Sequence, residues 1–205
     1  MSAGYLYCMC QITLHESKKF LAYYQYQNEQ QLIFHKKLGV KKEILEQGFK
    51  QLDIFMSYYS KVSVILLQLH PDRFTEDNKV ITQFLTKFKK ALKKQYKSKI
   101  GYLWVREQNV ADAQHYHLVV MVNGHKCNSA YTVGKMCDEI WEGPMDTNFS
   151  YRVKNRIYCI KKYKKDGREL RAARMRMSYM AKNETKDFDK YTNCFGRSRL
   201  KPNKY

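Results

Sequence analysis

Two neighbouring segments, YLWVRE and HYHLVVMV, constrain the fold of this chain more strongly than any other part of its sequence. The second segment ends in an unbroken apolar run, which is typical of a strand in a protein core. A short polar loop joins the two segments, so residues 102–107 and 115–122 are predicted to form a hairpin. A chain organised around such a hairpin contains an antiparallel sheet.

Two histidines stand at the start of the second strand, separated by Tyr116. Because alternate residues of a strand share a face, His115 and His117 are predicted to lie side by side, with Tyr116 on the opposite face. Centring the hairpin near Ala111 places Glu107 directly across from His115 and diagonal to His117. Two imidazoles and one carboxylate would therefore converge on one face of the sheet.

The remaining segments predict an α+β protein with a central antiparallel sheet and flanking helices. VSVILLQLH, residues 62–70, is typical of a further buried strand, and such a sheet commonly has its helices on one face. We expect an N-terminal helical extension over residues 1–58 and a main domain over residues 59–205 that ends in a basic tail. The other predicted elements are helices over residues 18–36, 41–59, 75–100, 130–141 and 168–182 and a strand over residues 151–161.

The net charge of the chain points to a polyanionic partner. Lysine and arginine number 38 against 19 acidic residues, which gives a formal charge of +19 at pH 7. An excess of this size favours nucleic acid or an anionic membrane surface. The sequence contains no apolar run long enough to span a bilayer, no secretory signal and no separate basic amphipathic helix. Nucleic acid is therefore the expected partner, and no membrane role is expected.

The cysteines indicate a reducing compartment. None of the 6 cysteines forms a CxxC pair or a zinc-finger spacing. Ordinary buried thiols inside a cell are therefore expected.

The histidine pair has a functional and a structural interpretation. Two imidazoles and a carboxylate with open coordination positions suit a divalent cation such as Mg²⁺, Mn²⁺ or Zn²⁺. Two hydrogen-bonded histidines at a strand edge are the structural alternative. Metal binding is the favoured interpretation, with Glu107 as the third ligand and Gln68 or His70 on the first strand as substitutes for it.

A candidate nucleophile occurs in the segment SYMAK. Tyr179 and Lys182 are three residues apart in a predicted helix and would share one face of it. A phenolate could attack a phosphate while the ammonium holds phosphate oxygens or supports the metal site. A free phenol titrates near 10, so a metal or a cation must help its ionisation. A core tyrosine is the alternative, and the same spacing also starts at Tyr58, Tyr96, Tyr151 and Tyr158.

In combination these features resemble a known family. A His-x-His strand followed by Tyr-x-x-Lys on a later helix is similar to the HUH endonucleases that start rolling-circle replication. A closer likeness is to the single-tyrosine replication initiators of filamentous phages and of phage-like or satellite elements. The segments that carry it are VSVILLQLH, YLWVREQNVADAQHYHLVVMVNGHK, SYMAKNETK and CFGRSR, in that order over residues 60–199. Residues 1–45 contribute nothing to it, and Tyr116 is bulkier than the usual middle residue of the motif.

The resemblance implies a ferredoxin-like endonuclease domain with a divalent cofactor, Mg²⁺ or Mn²⁺. His115 and His117 would be metal ligands, and Tyr179 would be the nucleophile. Lys182 would assist it at the phosphate or at the metal. An acidic or amide group usually completes such a site, which agrees with the geometric choice of Glu107.

The resemblance also implies a reaction and its partners. Such enzymes bind single-stranded origin DNA, often exposed in a hairpin, in the cytoplasm of a bacterial host. The tyrosine attacks the scissile phosphate and leaves a 5′-phosphotyrosine and a free 3′-hydroxyl, which primes a host polymerase. With one tyrosine on the active helix, a second subunit or a water would complete the cycle, so an oligomer fits this scheme. The sequence has no GxxxxGK[ST] motif, so unwinding would depend on a host helicase.

Dense runs of basic residues are expected to track DNA phosphates. The alternatives are solvated helix faces and, for the segment FGRSR, a disordered basic tail. The candidate DNA-binding residues are Lys90, Lys94, Lys161, Lys162, Arg168, Arg171, Arg174, Arg176, Arg197 and Arg199.

Two other functions remain open from the sequence. One is a non-catalytic origin- or RNA-binding protein that keeps the sheet and the charge. The other is a metal-dependent nuclease that forms no covalent intermediate. The second alternative predicts that a Tyr179→Phe variant still cleaves DNA.

Overall fold

The computed structural model describes residues 12–108, 113–143, 148–164, 166–183 and 193–203. The strands of this part are β1 (Ile12–Leu14), β2 (Leu21–Tyr26), β3 (Glu29–Phe34), β4 (Lys61–His70), β5 (Gly101–Glu107), β6 (His115–Asn123), β7 (Phe149–Tyr151), β8 (Ile157–Lys161) and β9 (Phe195–Arg197). The helices are α1 (Lys42–Tyr58), α2 (Lys79–Tyr96), α3 (Ala130–Trp141) and α4 (Arg168–Ser178), and a 3₁₀ turn at Tyr179–Ala181 follows α4 directly. None of these helices is long and apolar enough to cross a bilayer.

The central sheet has the strand order β7-β4-β6-β5-β9, with β8 also paired to β4, and every pairing is antiparallel. With α2 and α3 as its connections, the unit β4-α2-β5-β6-α3-β8 has the spatial strand order β8-β4-β6-β5. This β-α-β-β-α-β arrangement is ferredoxin-like. The predicted α+β class with a central antiparallel sheet and flanking helices is confirmed.

Helices cover both faces of the central sheet. On one face, Phe88 of α2 shares a core with Tyr116 of β6, and α3 packs beside α2. On the other face, Phe49 of α1 shares a core with Val119 of β6, together with residues of α4. The expectation of helices on one face is therefore wrong, because β6 presents buried apolar side chains to both sides.

The predicted helix over residues 18–36 is wrong, because these residues form the antiparallel strands β2 and β3. Ala22, Tyr24 and Tyr26 alternate with more exposed residues and point into the core, a period of two rather than of 3.6. Gln27 adopts a left-handed conformation at φ 53°, which allows the tight turn between the strands. Aromatic side chains fit such a half-buried pleated surface, so the tyrosine-rich composition favours strands here.

The N-terminal strands and α1 share their core with the central sheet. Ala22 and Ile33 of the small sheet and Leu52 of α1 belong to the same buried cluster as Val64 of β4. β3 packs along α4. The predicted domain boundary at residue 58 falls between α1 and β4, two elements joined by this cluster.

Four further predictions differ in detail from the structure. The strand over residues 151–161 is divided into β7 and β8 by a turn at Asn155, whose φ is 52°. The helix predicted from Thr75 begins at Lys79, because the Thr75 backbone N–H instead donates to Gln114 Oε1 at 3.1 Å. The helix predicted to reach Lys182 ends at Ser178 and tightens into the 3₁₀ turn.

The fourth difference concerns the expected basic tail. Phe195–Arg197 of the segment FGRSR form β9, which pairs with β5 at the sheet edge. Gly196 lies flat against Trp104, where a Cβ at residue 196 would come within 2.6 Å of the indole nitrogen. The segment is therefore part of the fold. The predicted hairpin centre at Ala111 lies outside the described residues.

Candidate active site

Strands β5 and β6 deliver three side chains to one end of the central sheet. Glu107 pairs with His115, and Val105 pairs with His117, which confirms the predicted register. Tyr116 points to the other face and is fully buried there. The alternation of β6 therefore places the two histidines on the face that α1 and α4 cover.

The three side chains are close enough to bind one ion together. The distance from Glu107 Oε2 is 3.3 Å to His117 Nε2 and 3.7 Å to His115 Nε2. The ligand-capable atoms of the three residues all lie within 4.8 Å of one another. Two ligands at about 2.1 Å from one ion, at roughly 90–110° to each other, are about 3.0–3.4 Å apart. The donor set and its spacing fit a divalent cation.

Burial favours the neutral form of His117, the form that a metal requires. Burial lowers the pKa of His117 below its usual range, although Glu107 raises it and so opposes part of that effect. Burial, followed by the proximity of His115 and His117, lowers the pKa of His70 to about 4. Neutral imidazoles have a free nitrogen lone pair for a ligand.

The two substitutes for a third ligand lie on β4, on the same face. Gln68 pairs across the sheet with His117. The His70 ring stacks between Phe149, at a centroid distance of 4.4 Å, and His115, at 5.3 Å. Among the described histidines, cysteines and acids, the group that can share one ion consists of Glu107, His115 and His117. His70 therefore lies beside this group rather than in it.

Tyr179 and Lys182 lie directly over the cluster. The Lys182 ammonium is 3.3 Å from Glu107 Oε2 and 4.2 Å from the centre of the Tyr179 ring. The Tyr179 and His117 ring centres are 6.2 Å apart. Burial alone would lower the pKa of Lys182, but Glu107 and then Tyr179 outweigh it and the pKa is raised. The ammonium is therefore held in its charged form beside the phenol.

The 3₁₀ turn, rather than a helix face, brings these two residues together. The linker between β3 and α1 holds this turn from outside. The Lys41 N–H donates to the Ala181 carbonyl at 2.8 Å, and the Asn183 N–H donates to the Gly39 carbonyl at 3.0 Å. Val40 forms a β-bridge with Lys182. Sequence reasoning missed these contacts because they join segments more than a hundred residues apart.

The end of β3 adds two further contacts to the same region. The Phe34 N–H donates to Ser178 Oγ at 2.9 Å, in the last turn of α4. The Phe34 ring meets the Tyr179 ring edge to face, with the centroids 5.7 Å apart. The N-terminal strands therefore position the residues that carry Tyr179.

A pocket of about 360 Å³ opens at the cluster. Tyr151, Lys154 and Arg176 line it together with the two histidines, Tyr179 and Lys182. Phe149 and Tyr151 on β7 are 52% and 55% exposed, and their pairing with His70 and Gln68 places them on the face of the cluster. Sequence reasoning missed both aromatic residues as site residues, because their exposure and the pairing of β7 with β4 depend on the tertiary structure.

The prediction that Arg174 binds DNA is wrong. Arg174 is 5% exposed, and its guanidinium pairs with Asp53 at 2.7 Å and with Glu29 at 3.6 Å. The guanidinium also lies over the rings of Tyr26 and Phe49. Arg174 therefore fixes the N-terminal strands to α4 and α1 and is not available to phosphates.

The other basic residues are spread over the molecule. Of these, the structure brings Arg176 to the pocket, with its guanidinium 5.6 Å from the Tyr179 ring. Lys161 pairs with Lys61 at the start of β4, roughly 25 Å along that strand from the cluster, and Lys162 follows it. The remaining candidates are exposed or partly exposed: Arg168 and Arg171 at the start of α4, Lys90 and Lys94 on α2 at the opposite sheet face, and Arg197 and Arg199 at the β9 edge.

Fold and site together define a class of protein: a ferredoxin-like α+β domain with an acid and two histidines beneath a tyrosine–lysine pair. The chain belongs to the YagK/YfjJ C-terminal domain family, whose family model matches residues 24–198. The match begins within β2 and ends just after β9, so it includes α1 as well as every residue of the site. Comparisons with curated proteins and with solved structures gave no match.

Proposed function

We propose that this protein is a metal-dependent DNA nicking and joining enzyme that uses a single tyrosine. In this proposal it cleaves single-stranded origin DNA and starts rolling-circle replication of a phage, satellite or plasmid-like element. It would act in the cytoplasm of a bacterial host and rely on a host helicase and polymerase. The HUH endonucleases supply the pattern for this reaction.

The observation that carries the proposal is the convergence of the β5–β6 hairpin and the turn after α4 on one site. Glu107 and the histidines come from the β5–β6 hairpin, while Tyr179 and Lys182 come from the turn after α4. The Tyr179 ring centre lies 6.2 Å from that of His117, and the Lys182 ammonium lies 3.3 Å from Glu107 Oε2. A purely structural role for the histidines would not require either neighbour. Perturbed titratable groups of this kind, gathered in a cleft, are typical of active sites.

The side chains around the pocket have complementary tasks in such a reaction. The Tyr179 oxygen forms a bond to phosphorus while the bond from phosphorus to the 3′ oxygen breaks. The phenol loses its proton, and the departing 3′ oxygen gains one, which leaves a 3′-hydroxyl and a 5′-phosphotyrosine. Lys182 and Arg176 place positive charge where the phosphate oxygens become more negative. A divalent ion held by Glu107, His115 and His117 would polarise the phosphate oxygens.

The exposed rings beside the pocket favour an unpaired strand as the substrate. Tyr151 lines the pocket, and both Tyr151 and Phe149 are more than half exposed, so unpaired bases can stack on Tyr151 and on the face of Phe149 that His70 does not cover. A paired base would present only its edge to them. Single-stranded or hairpin-loop DNA is therefore the substrate that the pocket fits best.

The test is formation of a covalent adduct. Purified protein is mixed with Mn²⁺ or Mg²⁺ and with labelled single-stranded oligonucleotides tiled across the origin of the genetic element that encodes it. A denaturing gel is expected to show a protein–DNA adduct that disappears with EDTA and in a Tyr179→Phe variant. Tyr58→Phe is the matched control, because Tyr58 begins the same Tyr-x-x-Lys spacing away from the site.

The other outcomes separate the alternative functions. Cleavage without an adduct, retained in the Tyr179→Phe variant, would indicate a nuclease without a covalent intermediate. Binding without cleavage in either metal would indicate a non-catalytic DNA-binding protein. Either result would contradict the proposal.

A further inference from the structure

A second cavity in the described part of the chain lies away from the candidate active site. It is an open groove of about 990 Å³ between α2 and the sheet edge formed by β5 and β9. Tyr102 and Trp104 form part of its floor, and Trp104 packs in the core on the α2 side of the sheet. The groove therefore opens on the sheet face opposite the histidine cluster.

Every charged residue in the described lining of the groove is basic. No carboxylate is among its described lining residues, and no described salt bridge involves any of its cations. Positive charge gathered in a concave surface without internal counterions attracts an external polyanion. The cations of the groove are Lys89, Lys93, Lys99, Arg197, Arg199 and Lys201.

The rings of the groove are not open to bases. Trp104 is buried beneath Gly196, and Lys89 lies over the Tyr102 ring at 5.2 Å. Phe195 packs against the core of the other sheet face. Unpaired bases would find no free ring face here, in contrast to the exposed Tyr151 ring that lines the catalytic pocket. The chemistry of the groove is therefore directed at phosphates alone, as in binding to a paired backbone.

The outer surface of α2 extends the basic groove. Lys90 and Lys94 are exposed on this helix next to the groove-lining Lys93, and Lys97 is exposed directly after the helix. Phe195, at the end of the groove, pairs with Val105, which in turn pairs with His117. Two strand spacings of about 4.8 Å therefore separate the backbones of Phe195 and His117. One DNA molecule can contact both the groove and the catalytic pocket around this edge.

We propose that the groove between α2 and β9 binds double-stranded DNA, while the catalytic pocket takes the unpaired strand. The paired segment would be a hairpin stem or duplex next to the nicked strand. The identity of this DNA as origin DNA rests on the proposed function, but the binding chemistry of the groove does not. Arg197 and Arg199 thereby belong to the duplex site. Lys89 and Lys93 join the predicted Lys90 and Lys94 as the residues of α2 in this site.

The test compares two DNA probes with a groove variant in EDTA, so that no cleavage interferes. One probe is a hairpin with a stem of about 12 base pairs and a single-stranded tail, and the other is an unpaired oligonucleotide of the same length. The groove variant is Lys89→Gln/Lys93→Gln/Arg199→Gln. The matched control, Lys18→Gln/Lys19→Gln/Lys50→Gln, removes the same charge from exposed positions outside the groove. Dissociation constants are measured between 50 and 200 mM NaCl, and thermal unfolding confirms that both variants are folded.

The groove variant is expected to bind the hairpin with a weaker dependence on salt, and its binding to the unpaired probe should keep the wild-type dependence. Three lost phosphate contacts reduce the slope of log K against log salt by about 2.7, so wild-type affinity falls about 40-fold more than variant affinity over this salt range. The control should keep the wild-type slope, and both proteins should bind the unpaired probe like wild type. The proposal would be overturned if the groove variant and the control had the same salt slope on the hairpin. It would also be overturned if the groove variant lost the same amount of slope on both probes.

Failure of the proposed function would look different. A wild-type protein that forms no covalent adduct with metal, but still shows the groove-specific slope change, would refute the nicking activity and leave the duplex site standing. If the wild-type protein forms the adduct but the groove variant shows no slope change, the nicking activity stands and the duplex site is refuted.

Discussion

At the scale of single residues, the candidate site depends on burial as much as on residue type. Glu107 is fully enclosed, and each histidine keeps only a small exposed edge towards the pocket. A buried carboxylate is costly unless cations or hydrogen-bond donors surround it, and here the Lys182 ammonium lies 3.3 Å from Glu107 Oε2. The same three side chains on an open surface would be ordinary polar residues.

Removing one ligand is expected to weaken Mn²⁺ binding. A Glu107→Gln variant keeps the shape of the side chain but loses its negative charge, so the dissociation constant should rise at least about tenfold. Electron paramagnetic resonance of free Mn²⁺ measures this directly. His125→Gln removes an imidazole from the turn just beyond the far end of β6 and should bind like wild type. Equal affinities in all three proteins would exclude the cluster as the metal site.

His70 predicts a pH dependence of stability in metal-free protein. Its pKa is about 4 in the folded chain against 6.5 when unfolded, so between these values the unfolded state binds more protons. Folding stability should therefore be complete above about pH 6.5 and fall towards pH 4, by about 1–3 kcal/mol after allowance for solvent screening. Urea unfolding in EDTA should show a smaller loss for His70→Phe, which keeps the ring stack. An identical pH profile in the variant would rule out this assignment.

At the scale of elements, the N-terminal strands act as a support for the turn that carries Tyr179. β3 and the linker after it contribute backbone hydrogen bonds, a β-bridge and the Phe34 ring contact to residues 178–183. A turn of 3₁₀ type is short and has poor internal hydrogen-bond geometry, so outside contacts matter for its position. The strands thus link the start of the chain to the proposed chemistry.

A Phe34→Leu variant is expected to slow adduct formation about tenfold without changing DNA affinity, because misplacing a nucleophile costs rate more than binding. Single-turnover kinetics and equilibrium binding separate these two effects. Phe34→Tyr should restore the rate, since it retains the ring contact with Tyr179. Phe20→Leu, at an exposed position near the same sheet, is the control. A loss of affinity with an unchanged rate would contradict a positioning role.

Arg174 predicts a stability effect and no DNA effect. Removing it leaves Asp53 without its cation, so Arg174→Ala should lower the free energy of unfolding by about 3 kcal/mol. Arg171→Ala, an exposed change on the same helix, should cost less than about 0.5 kcal/mol. Denaturant unfolding measures both values. A stable Arg174→Ala protein with weakened DNA binding would return this residue to the DNA-binding set.

At the scale of the whole molecule, local patterns predicted the central sheet and tertiary contacts decided the rest. The alternation in HYHLVVMV was enough to predict the hairpin register and the side on which Tyr116 lies, because a strand repeats every two residues. Residues 18–36 were predictable only in part, since their tyrosines and glutamines fit a helix or a strand until the core side is known. The burial of Arg174 depends on Asp53, 121 residues away, and no local pattern carries that information.

The two faces of the sheet give the molecule two separate tasks in this account. The face under α1 and α4 holds the cluster, the proposed nucleophile Tyr179 and the exposed rings proposed to bind an unpaired strand. The face under α2 holds a basic groove for a paired strand. The net charge of +19 attracts DNA to both faces.

The most direct test of the central claim is to identify the residue that carries the DNA. The adduct formed with Mn²⁺ and a single-stranded origin oligonucleotide is digested with nuclease and protease, and tandem mass spectrometry locates the remaining nucleotide. The account predicts a phosphodiester-linked nucleotide on Tyr179. A nucleotide on any other residue, or a complete peptide map with Tyr179 unmodified in a reaction that has cleaved the DNA, would contradict it.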